Sequence, residues 1–178
     1  VFTPGMYTLT TQNLPILSTL KGWKYGFDSP FKAEVYFVST RNITDQKWGT
    51  RNPIILNDLR FGMLEIRAFG TYVIRVQDAT VFLKEIVGTD GHFTTEEISE
   101  QLRSIIVTQF TDATGEAKLP IENYASNVNE ISKYVQEVID AEFAKFGLEV
   151  PQFLIENVSM PPEVKEEIFE LSRLNAID

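Results

Sequence analysis

Residues 147–174 read GLEVPQFLIENVSMPPEVKEEIFELSRL, and the pattern changes character twice within them. Gly147 closes one segment, an apolar-rich run follows from Leu148 to Val158, and Pro161-Pro162 opens a charged helical pattern. In the run, Val150, Gln152, Leu154, Glu156 and Val158 share one parity while Pro151, Phe153, Ile155 and Asn157 share the other, so a strand here has no purely polar face. Pro151 has no N–H to give to a ladder, which puts it at a strand end or on an edge. A strand this late in the chain has to return to a sheet built earlier. Downstream, Pro161 or Pro162 suits a first helical turn, where a missing N–H costs nothing, and Glu163 and Glu166 lie near the positive end of the helix dipole. Val164, Ile168 and Leu171 are spaced four and three apart and Leu174 continues the stripe, which is how a coiled-coil seam begins. These four are the candidate oligomerisation residues.

The sheet to which the late strand returns belongs to the first half of the chain. The clearest strand is Leu64–Val76, where Leu64, Ile66, Ala68, Gly70, Tyr72, Ile74 and Val76 occupy one parity and Glu65, Arg67, Thr71 and Arg75 the other. Gly70 in its middle suggests a bend or bulge. Met6–Thr10 follows a Pro-Gly turn and reads as a short strand, and Lys32–Thr40 reads as a strand hairpinned to the ITDQKW that starts at Ile43.

After Val76 the period changes from two to the helical repeat. Asp78 caps a short helix that runs through Val87 and stops at Gly88. Thr94 and Glu97 have capping-box spacing ahead of a helix whose face carries Ile98, Leu102, Ile105, Ile106 and Phe110. A further helix carries Ile131, Tyr134, Val135, Val138, Ile139 and Phe146 on its apolar stripe and ends at Gly147.

The 178 residues, 43% apolar, suffice for one core and are crowded for two. Sixteen basic against 25 acidic side chains leave a net charge of −9, the wrong sign for a nucleic-acid partner and for purely electrostatic docking on anionic lipid. The lack of cysteine excludes disulfides, thiolate metal sites and cysteine nucleophiles from this stretch of chain. There is no apolar run of the roughly 18 residues that a spanning helix needs, and the start, VFTPGMYTLT, has neither the basic lead nor the apolar block of a signal peptide. That start also lacks an initiator methionine, which points to a piece of a longer protein whose flanks could hold an anchor.

Two stretches carry a family resemblance: RAFGTYVIRVQDATVFL, from Arg67, which closes the β-rich half, and KFGLEVPQFLIENVSMPPEVKEEI, from Lys145. Together they resemble an SPFH domain, also called band 7 or prohibitin-homology, of the stomatin, prohibitin and flotillin superfamily. The stretch PILSTLKGWKYGFDSPFKAEVYFVSTRNITDQKWGTRNPI, from Pro15, resembles the bacterial branch labelled virion core protein-like. The resemblance covers nearly the whole chain. It implies an α+β fold in which a mainly antiparallel sheet from the first half packs against helices of the second, with a projecting C-terminal helix. The corresponding division is residues 1–160 as the SPFH domain and 161–178 as the start of a further helix. The resemblance also implies a domain without enzymatic activity that forms homo-oligomers and organises membrane-associated complexes, cytoplasmic or peripheral at the inner face of a membrane. Relatives generally place a hydrophobic segment before the domain and a long helix after it, and this branch often ends in a zinc-ribbon module.

The chemistry-bearing residues support no catalytic array. His92, the single histidine, lies in the turn-rich GTDGHFTTEE, where a surface loop is the ordinary expectation. No G-x-S-x-G elbow and no glycine-rich phosphate loop occurs. Glu96-Glu97 and Glu166-Glu167 are adjacent pairs, which on a helix diverge by about 100° and cannot converge on one ion. No catalytic, cofactor or metal residue is therefore assigned, and no cofactor is expected. The sequons at Asn42 and Asn157 matter only in a glycosylating pathway.

The segment WKYGFDSPF packs four aromatic rings between glycine and proline breaks. Trp23 and Tyr25 are the candidate membrane or partner contacts, and Phe27 and Phe31 the candidate inward rings, set against the plainer reading of a loop folded back to cap the sheet. The sequence thus favours a self-assembling scaffold over a regulatory partner of a membrane protease or membrane-stress protein, with an unrecognised enzyme third.

Overall fold

The computed structural model describes residues 36–88, 94–117 and 120–176. The chain divides between Val38 and Ser39, and the unit from Ser39 to Asp178 holds every element below. Met6–Thr10, Trp23, Tyr25, Phe27, Phe31 and His92 lie outside the described residues.

The hub is β3, Gly62–Val76, whose exposure alternates along almost its whole length, with even-numbered positions from Leu64 to Val76 buried. Every other strand pairs with it antiparallel. β1, Ile43–Gly49, takes its C-terminal half, and β2, Ile54–Asp58, takes its N-terminal end through a hairpin. The late strand, β4, Leu148–Ser159, returns to run beside it from Arg67 to Val76. The fold is α+β as expected, and the strand after Gly147 joins the early sheet.

β4 has mixed faces because its ladder slips twice. Val73 pairs with Gln152 and Arg75 with Glu149, so β4 has one residue more than β3 over this span, and the same happens where Phe69 pairs with Asn157 and Gly70 with Ile155. Each extra residue flips the parity of the strand beyond it. Leu148 and Val150 therefore face inward on one parity, and Phe153 and Ile155 on the other. Pro151 sits in the first bulge, where the absent N–H breaks no ladder bond.

The helices cover the inner face. α1, Ala79–Phe82, is capped by Asp78, whose carboxylate accepts from the Thr80 and Val81 N–H groups, and it runs into a π-helical turn, Leu83–Val87, before Gly88. α2, Thr95–Ala117, begins with the capping box, because the Thr94 hydroxyl accepts from Glu97 N and the Glu97 carboxylate from Thr94 N. A short helix, α3, Ile121–Ser126, precedes α4, Val128–Ala144, and α5, Pro162–Asn175, follows β4. α4 lies on β4 and α2 on α4. At the centre Trp48 stacks on Phe153 with centroids 4.9 Å apart and meets Phe110 at 5.1 Å.

The two sequence motifs meet in space. Gly147, at φ +72°, uses one carbonyl to accept from both Gln77 N (2.9 Å) and Asp78 N (3.0 Å). A Cβ there would lie 2.4 Å from the Asp78 carbonyl oxygen, so glycine is needed both for its backbone angle and for the close approach.

Two expectations need correction, and one helix was not expected. Of the expected strand Lys32–Thr40, Lys32–Val35 lie outside the described residues and Tyr36–Thr40 is not strand, while Ile43–Trp48 pairs with β3. The reason is burial: on β3 the Trp48 ring reaches the core, whereas Phe37 is exposed. On α4 the buried row is Ile131, Val135, Ile139 and Phe143, a strict four-residue repeat, and Tyr134 is 39% exposed on the adjoining row, with Phe146 half-buried past the helix end. Finally, α3 has no counterpart in the sequence pattern. It forms because Ile121 and Tyr124 bury against the hairpin end of the sheet, an anchor with no local periodicity.

Candidate functional site: exposed faces around the sheet

Pro162 occupies the first turn of α5, with Pro161 in the cap position and Glu163 behind it. No side chain described on α5 is fully buried: Val164, Ile168 and Leu171 are half-buried, Phe169 is 61% exposed and Leu174 64%. The spacing puts Val164, Ile168 and Leu171 on one face, flanked by Glu163, Glu167 and Glu170 on the adjoining side. The four candidate oligomerisation residues therefore stand on a helix none of whose described side chains is buried.

A second exposed surface is the outer face of the sheet, built from the odd-numbered residues of β3. Phe69, 47% exposed, lies between Gly49 and Asn157, and Thr71 lies between Lys47 and the exposed Leu154. Arg67 and Lys47 are exposed on this face without an acidic partner among the described residues. Arg75, further along, is paired with Glu149 at 2.6 Å. Sequence reasoning saw the polar members of this face but passed over Phe69, which breaks their alternation.

On the other side of the molecule, Tyr134, Val138 and Ala141 of α4 and Gln109 of α2 line an open groove of about 450 Å³, rimmed by Glu137 and the Glu142–Lys145 ion pair. It is a surface trough rather than a cleft with convergent acids.

Two polar arrangements hold these faces in place. Ser132, Gln136 and Asp140 form a row beside the buried row of α4 and serve the backbone of the bulged β4. Gln136 Nε2 donates to the Val150 (3.1 Å) and Pro151 (2.9 Å) carbonyls, Asp140 Oδ1 accepts from Val150 N (2.7 Å), and Ser132 Oγ accepts from Ile155 N (3.1 Å). Groups that the slipped ladder would orphan are thus satisfied. The four-residue spacing of this row was the signal for it.

Asp58 does the same at the hairpin end. Its Oδ1 accepts from Arg60 N (2.7 Å) and Phe61 N (3.0 Å), and its Oδ2 from Ile121 N (2.8 Å), joining the turn after β2 to the start of α3. Burial pushes this carboxyl up, but the three N–H bonds and the Arg60 charge outweigh it, so its pKa falls below the ordinary carboxylate value. Nearby, burial pushes Tyr124 up to about 12, with the Asp58 charge adding to the rise, and its hydroxyl donates to the Thr114 carbonyl (3.2 Å); burial also raises Tyr72. These are structural hydrogen bonds, not an acid–base pair poised near neutrality. Among the described residues no three acidic or histidine side chains gather as a metal site, and no helix is long and apolar enough to cross a membrane.

The sequence profile of the SPFH domain-Band 7 family matches residues 1–176. The chain belongs to that family. This SPFH domain is also 33% identical over 165 residues to the uncharacterized protein YdjI of Bacillus subtilis (strain 168), a match covering 92% of the chain and 51% of YdjI. It therefore spans about half the length of that relative.

Proposed function

We propose that this SPFH domain is a non-enzymatic scaffold whose copies join through the apolar stripe of α5, assembling at the inner face of a membrane to organise protein complexes there. The observation that carries the reading is that α5 presents Val164, Ile168, Leu171 and Leu174 yet buries none of its described side chains, so its apolar area is left for another chain. The family supports a scaffold role, and the stretch from Pro15 supports placing the chain in the virion core protein-like branch. Trp23 and Tyr25 are the proposed contacts to the membrane or a membrane protein.

Light scattering on the full-length protein tests the reading. A large homo-oligomer that Ile168→Asp with Leu171→Asp reduces to monomer is the expected result. A wild-type protein that is strictly monomeric at micromolar concentration refutes it.

A further inference from the structure

We infer that the stripe of α5 is covered by the outer sheet face of the next copy, so that the domains join head to tail, helix onto sheet. The inference rests on the assembly reading above and names the surface that receives the helix. It starts from two faces that match in chemistry. The sheet offers apolar Phe69 and Leu154, bracketed by the cations Lys47 on β1 and Arg67 on β3. α5 offers an apolar stripe bordered by Glu163, Glu167 and Glu170, three carboxylates on one flank. Laying the stripe across Phe69 and Leu154 brings that flank to the cations.

Charge also bounds the footprint. Glu65 lies on the same outer face two residues before Arg67, and Arg75 is already neutralised by Glu149, so the cationic and apolar centre of the face is confined to the stretch between them. Two copies of α5 packed on each other would instead bring together two helices that each carry four glutamates against Lys165 and Arg173. In a chain of net charge −9 the sheet face is thus the complementary surface and a second α5 is not. Within its own copy α5 buries none of its described side chains, and Phe69 and Leu154 remain exposed, so the same copy does not bury the two faces against each other. Because the two faces differ, the contact is heterologous, and repetition closes a ring or continues as a filament instead of stopping at a dimer.

A charge swap in the full-length protein tests this. Lys47→Glu with Arg67→Glu, both at exposed positions, should weaken self-association at least tenfold with an unchanged circular dichroism spectrum, and Glu163→Lys with Glu167→Lys and Glu170→Lys should do the same. Mixing the two variants should restore assembly, because each sheet then meets a helix of opposite charge. If the sheet variant assembles like wild type while Ile168→Asp with Leu171→Asp does not, helix-onto-sheet docking is overturned and the assembly reading stands. If the sheet variant keeps self-association but loses binding to phosphatidylserine vesicles, the face belongs to lipid and the inference is likewise overturned. If neither helix nor sheet variants alter the oligomer, both readings fall.

Discussion

Replacing Gly70 with alanine adds one methyl group at a crowded point between β3 and β4. The new Cβ would lie 1.9 Å from the Leu154 carbonyl oxygen, 2.9 Å from its carbon and 3.0 Å from Trp48 Nε1. Two of these neighbours are backbone and the third is a buried ring, so no flexible side chain can swing away. Relief requires β3 and β4 to part at the bulge beside Gly70, and the Leu154 carbonyl that would move is the acceptor of the Trp48 indole N–H (3.1 Å). Overpacking of this kind costs about 1–3 kcal/mol. Orphaning the buried indole N–H adds about 1–3 kcal/mol. Against this, alanine in a strand recovers about 0.5–1 kcal/mol of backbone entropy. The net expectation is a destabilisation of about 2–4 kcal/mol, which for a domain of this size lowers Tm by roughly 5–15 °C. Urea and thermal unfolding followed by circular dichroism measure it. Trp48→Phe keeps a ring against Phe110 and Phe153 but removes the donor, so the double variant should cost less than the two singles added. A Gly70→Ala protein within about 0.5 kcal/mol of wild type, the range of ordinary surface changes, refutes the packing argument.

Asp58→Asn keeps the shape but weakens three charge-assisted bonds, and should cost about 1–3 kcal/mol in urea unfolding near neutral pH. Because the folded pKa of Asp58 is depressed, its stabilisation is present above the unfolded value of about 3.9 and is lost as pH falls through the folded value, so the variant should flatten the acid limb of a stability–pH curve. Tyr124 has the opposite sign: with a folded pKa raised to about 12, its contribution is full below the unfolded value of about 10 and is lost as pH rises toward the folded one. Tyr124→Phe should therefore remove part of the alkaline loss of stability, and phenolate absorbance should show one fewer late-titrating tyrosine.

Much of this fold could be read from local pattern. The parity of Leu64–Val76, the Asp78 cap, the Thr94–Glu97 box and the stop at Gly147 each encode one element within a few residues, and each stands where the pattern put it. What escaped was set by partners distant in sequence. The mixed faces of Leu148–Ser159 come from two bulges whose orphaned groups are met by Ser132, Gln136 and Asp140 of α4, and a bulge has no signature in the strand alone. α3 is held by Asp58, 63 residues earlier. The candidate oligomerisation stripe was visible as spacing, whereas Lys47, Arg67, Phe69 and Leu154 become one surface only when β1, β3 and β4 are laid side by side.

The pairing of β3 with β4 also dictates when this domain can become itself. Arg75 must wait for Glu149, 74 residues later in the chain, before the central strand has its late neighbour. During synthesis, therefore, the longest strand emerges with a bare edge and stays so while α1 through α4 are made. Such an edge is a template for any extended segment nearby, so a polypeptide halted before β4 would present a site for edge-to-edge aggregation.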